Sequence, residues 1–348
     1  MEEKGKNLEY ISLLSVISAF SVVSLHTNGC FWQFSTERYW ATANIIESFY
    51  YFAVPIFFMI SGATLMDYPK RYGIKTYFQK RIFKTLIPFL VWSLVGWGTL
   101  AFDTWRAGQV LKPEILTFTG VWNGIWGTTF VGIYWFFVPL FTCYLCIPLF
   151  AAVPEERRKE LFGYLIACSF VLQSLFPFLM KVGELSIRVP FHLDVAGGYL
   201  FYVLLGYWLS TYEVTKEQRR IIYVLAIAGL FAHIVGTYEL SMSAGKIIQT
   251  YKGYLNVPCI LYSVGVFVFL KENAERILRN GGGVLLLKNY TFAIYLLHWF
   301  VMRYWIELTH CDTHSIFWRL GGPFLVGAIC IGITYVIRKI PIIKFILP

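Results

Sequence analysis

Two histidines stand out in the long apolar runs of this sequence, His26 and His298. An ionisable side chain in such a run is expensive to bury and marks a functional site by default. A neutral imidazole titrates near working pH, so the chemistry on offer is proton acceptance. The plainer reading is that each ring caps or hydrogen-bonds a neighbouring helix. A second group is cationic. Residues 68–84 hold six Lys and Arg in seventeen positions, among them Lys75, Lys80, Arg81 and Lys84. Their bland role is to anchor an inner loop at the membrane, with anionic lipid contact added. The alternative is an anion site for a cytoplasmic phosphate-bearing ligand, for which Lys and Arg are the natural groups. Trp32, Trp40, Trp105, Trp122 and Trp126 offer flat faces of the kind sugars stack on, and equally suit a membrane belt.

The elements that must position these groups are membrane spans. Of 348 residues, 57% are hydrophobic, 19% aromatic and only 14% charged, with a mean hydropathy of +0.59. Soluble domains carry about 25% charged residues. The deficit excludes a cytosolic enzyme, a disordered chain and a nucleic-acid binder. A span needs about 20 apolar residues to cross about 30 Å of hydrocarbon. Ten runs qualify: 8–26, 45–65, 82–104, 133–153, 161–179, 195–212, 221–240, 254–271, 284–306 and 316–337. None alternates with period two, which argues for helices over a barrel. The start, MEEKGK, carries two acids and no small-residue cleavage site follows, so the first run reads as a retained helix.

With the N-terminus inside, 21 of the 30 Lys and Arg fall on the cytoplasmic side and 9 outside, and the bias holds at every hairpin. The net charge of +10 is therefore mostly topology, and nucleic acid is excluded as a partner. His26 then stands about 27 Å from residue 8, and His298 about 21 Å from the inner end of its run, so both belong to the outer half. The expected fold is an all-α, polytopic transmembrane helical bundle of about ten spans, N-in and C-in. It forms a single domain over 1–348, without appended soluble domain or transporter-type repeat. The outer segment 105–132, with three tryptophans, is expected to pack over the bundle mouth. His192 and Asp194 read as an interfacial contact. Cys143, Cys146, Cys168 and Cys330 read as small buried hydrophobes, and a Cys30–Cys311 disulfide is one reading of the two cysteines placed outside. No His, Cys and carboxylate spacing suits a metal, and none is expected.

Several stretches, in order along the chain, carry a resemblance: 8–26 (LEYISLLSVISAFSVVSLH), 52–62 (FAVPIFFMISG), 78–94 (FQKRIFKTLIPFLVWSL), 134–150 (YWFFVPLFTCYLCIPLF), 197–210 (GGYLFYVLLGYWLS) and 291–301 (TFAIYLLHWFV). Together they resemble the acyltransferase-3 family of membrane O-acyltransferases, in its stand-alone branch without a fused esterase-like domain. The resemblance implies transfer of an acetyl or other short acyl group from cytoplasmic acyl-CoA to a hydroxyl of a cell-surface or exported carbohydrate. It implies a multi-pass protein of a bacterial plasma membrane, with acyl-CoA, a carbohydrate acceptor and membrane lipids as partners and no metal. It maps the family's key histidine onto His26, a further family histidine onto His298, and a Lys-Arg pair on the CoA side onto Lys80 and Arg81, within a basic loop that also supplies Lys75 and Lys84. His26 would act as general base, with a covalent acyl-histidine as the alternative. One position departs: eleven residues before the histidine the family carries an arginine, sometimes a glutamate, and here stands Ser15. Either another group substitutes, or the donor binds differently, or the activity is lost. Two rival classes stand beside the enzyme: a polysaccharide or lipid-linked glycan transporter or flippase, and a non-catalytic subunit of a surface-glycan complex. The acceptor sugar, the acyl group and the oligomeric state are not readable from the sequence.

Overall fold

The computed structural model describes residues 2–187, 193–280, 282–341 and 343–348, and among the described residues there is no strand. The first half runs α1 (Glu2–Thr27), α2 (Arg38–Tyr50), α3 (Ala53–Leu65), α4 (Ile74–Arg81), α5 (Ile87–Arg106), and two short helices, α6 (Pro113–Leu116) and α7 (Phe118–Trp126). Next come α8 (Phe137–Ala151), α9 (Glu155–Ser169), α10 (Phe176–Val182) and α11 (Leu200–Thr211). The chain closes with α12 (Lys216–Ala244), α13 (Val257–Asn280), α14 (Thr291–Thr309) and α15 (Ile316–Arg338). His192 lies outside the described residues, and its neighbour Asp194 opens a short 3-10 turn.

All ten apolar runs fall on helices, but not all form full straight spans. Among the described residues eight helical stretches are long and apolar enough to cross a membrane, and a ninth is bent by 75° between 283–289 and 291–309. The run at 195–212 folds as α11, only 12 residues long. At about 1.5 Å per residue it reaches about 18 Å, short of the hydrocarbon thickness. It is instead enclosed, with Tyr202, Val203 and Leu204 wholly buried, and packs along α3. Gly62 permits this approach: a Cβ there would stand 1.8 Å from the Val203 carbonyl oxygen. Small residues at helix crossings are the usual way that membrane helices, lacking a hydrophobic drive to associate, come together.

The basic stretch 68–84 is not a loop beyond residue 73. Helix α4 starts at Ile74 and continues through a π turn, Ile82–Leu86, into α5, so Lys75, Lys80, Arg81 and Lys84 ride on one helical stretch. No glycine or proline falls between Gly73 and Pro88 to stop it. Segment 105–132 does fold onto the bundle: α7 packs against α5, Trp126 lies 5.7 Å from Phe89, and the Trp97 indole donates to the Ile115 carbonyl at 3.3 Å.

Helix α1 is the central post, in contact with α3, α13, α14 and α15. Its buried Ser18, Ser21 and Ser24 keep it slim enough for that position. Tyrosine hydroxyls tie the elements around it. Tyr134 donates to the Leu296 carbonyl and Tyr295 to the Ile133 carbonyl, both at 2.7 Å, which couples the 3-10 turn before α8 to α14. Tyr202 donates to the Tyr254 carbonyl, fixing the segment that leads into α13.

Candidate active site

Helix α1 delivers His26 to a cavity of about 310 Å³. Its walls include Trp32, Glu47, Tyr51, Trp135, Tyr254 and Tyr295. The His298 ring, carried by α14, stands behind His26 with its centroid 5.1 Å away and a 34° tilt. His298 is fully buried, and its Nδ1 lies 3.0 Å from the Ile294 carbonyl oxygen one helical turn back. A carbonyl only accepts, so Nδ1 carries the hydrogen and Nε2 of the neutral ring is an acceptor. That Nε2 is buried and has no partner. The tautomer of the rear imidazole is thus set by α14, and its lone pair is left available beside His26. His298 bonds its own helix rather than a neighbouring one, and it stands next to His26.

Glu47, on the wall of the same cavity, belongs to a buried ion pair. Glu47 of α2 is 2% exposed and Lys252, from the segment between α12 and α13, is 1% exposed, with Nζ 3.3 Å from Oε1. The amide of Asn28 donates to the other oxygen, Oε2, at 3.4 Å and to the Ala43 carbonyl at 2.9 Å. Lys252 also lies over the Tyr51 ring at 3.7 Å and the Phe31 ring at 4.6 Å. Burial pushes the Lys252 ammonium below its ordinary range and the Glu47 charge pulls it back. The lysine is held inward by its own backbone. Gly253 takes φ +152°, where a side chain is strained, and the Asn256 amide donates to the Thr250 and Lys252 carbonyls at 3.0 Å. An aromatic wall completes the chamber: Tyr51 stacks on Tyr254 at 4.3 Å and 7°, and Tyr254 on Trp135 at 5.6 Å and 23°.

A second cavity, of about 230 Å³, lies on the other side of Phe136 and Tyr295, which line both. Arg81 and Thr85 enter it from the π turn and its flank, Ser15 from α1, and Thr291 from the bend at the start of α14. A π turn inside an α-helix recurs at functional sites. The Arg81 guanidinium sits 5.4 Å from the Tyr144 ring and 6.0 Å from the Tyr77 ring, and its Nε is buried without a partner. Ser15 Oγ donates to Thr291 Oγ1 at 3.2 Å. Position 15 is therefore polar and neutral, and the cation of this chamber comes from Arg81.

The structure sorts the residues expected from sequence. His26 and His298 come together, and Arg81 reaches a chamber. Lys80 does not: its Nζ covers the Tyr72 ring at 3.8 Å. Lys75 and Lys84 are exposed and line neither chamber. Lys70, of the same basic stretch, is spent on Glu155 at 2.7 Å. Of the five outer tryptophans only Trp32 lines the His26 chamber; Trp40 is wholly buried, with its indole donating to the Phe31 carbonyl at 2.8 Å. Cys30 and Cys311 are free thiols. Sequence reading passed over Glu47 and Lys252. The signal for Glu47 was present, since it is an acid inside the apolar run 45–65. Lys252 carried no signal beyond one more loop cation.

The family profile described as "Acyltransferase domain" matches residues 8–338, so it takes in both chambers. The chain is also 24% identical over 316 residues to the Bacillus subtilis (strain 168) protein named "Putative membrane-bound acyltransferase YfiQ", a match covering 85% of this chain and 81% of that protein. No solved structure matches. A helical membrane bundle with this profile along nearly its whole length belongs to the acyltransferase-3 family and is a membrane acyltransferase.

Proposed function

We propose that the protein moves an acetyl or other short acyl group from acyl-CoA, bound through the Arg81 chamber, to a hydroxyl of a carbohydrate in the His26 chamber. One observation carries this reading. A chamber with a buried, unpartnered guanidinium nitrogen and a chamber lined by His26, with the His298 ring packed against that histidine, share a wall, Phe136 and Tyr295. The residues fit a phosphate-bearing thioester. Arg81 is a donor looking for an anion, the hydroxyls of Ser15, Thr85 and Thr291 suit the amides of an extended arm, and Phe57, Ile60 and Leu140 give it apolar sides. With Ser15 neutral, Arg81 is the group that supplies charge to this end.

At the shared wall, His26 takes the proton of the acceptor hydroxyl as its oxygen bonds to the thioester carbonyl carbon. The carbon–sulfur bond breaks and CoA leaves as a thiolate, which His26 or water reprotonates. His298 packs against the His26 ring and presents its unpartnered Nε2 beside it. The aromatic wall of Tyr51, Tyr254 and Trp135 supports a sugar ring in the chamber. Family membership favours this enzyme over the transporter and the non-catalytic subunit. With the N-terminus inside, the Arg81 end faces the cytoplasm, the supply side of acyl-CoA, in a multi-pass protein of a bacterial plasma membrane.

Membrane vesicles containing the protein, given acetyl-CoA labelled in its acetyl group, test the reading. Label is expected in a carbohydrate fraction as an ester released by hydroxylamine, and His26→Ala is expected to remove it. Label transfer that survives His26→Ala would overturn the assignment of the base. Failure of wild-type vesicles to transfer label would overturn the donor.

A further inference from the structure

The wall of the His26 chamber includes a carboxylate that proton transfer does not need, Glu47, which is held by Lys252 and Asn28. A buried ion pair of this kind is not the cheapest way to hold three segments together. Well-packed apolar side chains of similar volume do so as well or better, because desolvating two charges offsets most of their attraction. Here the acidic member of the pair also lines a cavity. A carboxylate offers about four acceptor positions. Lys252 faces Oε1 as an ion-pair partner at 3.3 Å and Asn28 donates to Oε2. The remaining lone pairs belong to a side chain that lines the chamber, beside the Tyr51–Tyr254 stack. Such fixed acceptors on a cavity wall suit hydroxyl donors.

We propose that Glu47 is the acceptor-reading residue of this protein: its clamped carboxylate accepts hydrogen bonds from hydroxyls of a carbohydrate lying on the Tyr51–Tyr254–Trp135 wall, so that a neighbouring hydroxyl is presented to His26. This rests on the acyl-transfer reading above and adds to it which part of the chamber selects the sugar. Lys252 and Asn28 are positioning residues. Lys252 keeps the carboxylate charged and turned to the cavity, and the Asn256 clamp with Gly253 keeps Lys252 in place. A site built to bond a hydroxyl discriminates strongly against an analogue that lacks it, since its own polar group is then left unpaired.

The test uses purified full-length protein and tryptophan emission, reporting from Trp32 and Trp135 in the chamber wall. The probes are the methyl glycosides of glucose, galactose and mannose and their singly deoxygenated analogues. Wild-type protein is expected to bind at least one glycoside, with one deoxy analogue at least about tenfold weaker, the loss expected for a hydrogen bond to a charged group. In Glu47→Gln the parent glycoside should weaken by a similar factor and the deoxy analogue should lose its disadvantage. Glu47→Gln/Lys252→Met removes both charges and guards against misfolding. It should keep the weakened binding while its acetyl-CoA affinity and thermal midpoint stay near wild type.

An unchanged preference for the parent glycoside in Glu47→Gln would overturn the proposal, as would recovery of full affinity in the double variant, which would make the pair a structural brace. If wild-type protein binds acetyl-CoA but none of the glycosides, the carbohydrate acceptor itself is wrong and Glu47 falls with it. If it binds neither, the acyl-transfer reading has failed first.

Discussion

The two chambers on either side of Phe136 and Tyr295 are built on different plans. In the Arg81 chamber one cation, on a long side chain, rests against two tyrosine rings with its Nε unpaired, and the other polar groups are neutral hydroxyls. Around the His26 chamber the polar groups are held: Glu47, in its wall, by Lys252 and Asn28, and outside the lining His298 by the Ile294 carbonyl and Lys252 by Asn256 and Gly253. A flexible cation suits a phosphate, which accepts charge from many directions. Fixed acceptors suit a neutral hydroxyl, which must be oriented before it reacts. On the proposed function, binding at one end and chemistry at the other place different demands on side-chain entropy, and one bundle would meet both.

Substitutions that break the contrast should differ in size and in what they change. The largest effect is expected from His26→Ala, which should lower kcat by about 10² to 10⁴, the range for removing a general base, while acetyl-CoA affinity in equilibrium dialysis stays within about threefold. Next, Lys252→Met strands the Glu47 charge and should lower stability by about 3–5 kcal/mol, read as a fall in the thermal midpoint of the purified protein. Adding Glu47→Gln should restore most of it. Arg81→Ala should raise the KM for acetyl-CoA by about ten- to a hundredfold with little change in kcat, as loss of a hydrogen bond to a charged group predicts, and Arg81→Lys should recover part of it. Smallest of all, Lys75→Ala and Lys84→Ala, both outside the chambers, should change that KM by no more than about twofold. An effect of Lys84→Ala as large as that of Arg81→Ala would erase the distinction between chamber and surface cations.

Much of this was legible in the sequence because a membrane imposes simple rules. Apolar runs of sufficient length had to become helices, and each of the ten did, with α11 short and the 283–309 run bent. His26 and His298 were legible because ionisable groups in such runs stand out. What the sequence hid was side-chain direction and pairing over long separations. Lys80 and Arg81 are neighbours, yet one covers Tyr72 while the other enters a cavity, a difference set by the helical stretch that begins at Ile74 and its π turn. Glu47 and Lys252 are 205 positions apart, and only packing of α2 against α12 and the segment after it brings them together. The tryptophans misled for the same reason: Trp40 is spent on the core, while Trp135, inside an apolar run, faces the chamber.

The central claim is that the Arg81 chamber receives an acyl-CoA whose acyl group is delivered to His26. Its most direct test is equilibrium binding of labelled acetyl-CoA to purified wild-type, Arg81→Ala and His26→Ala proteins, with unlabelled CoA as competitor. A two-chamber acyltransferase predicts saturable binding that CoA displaces, weakened at least about tenfold by Arg81→Ala and left intact by His26→Ala. Absence of saturable binding to folded wild-type protein at millimolar ligand, or binding indifferent to Arg81→Ala, would contradict it.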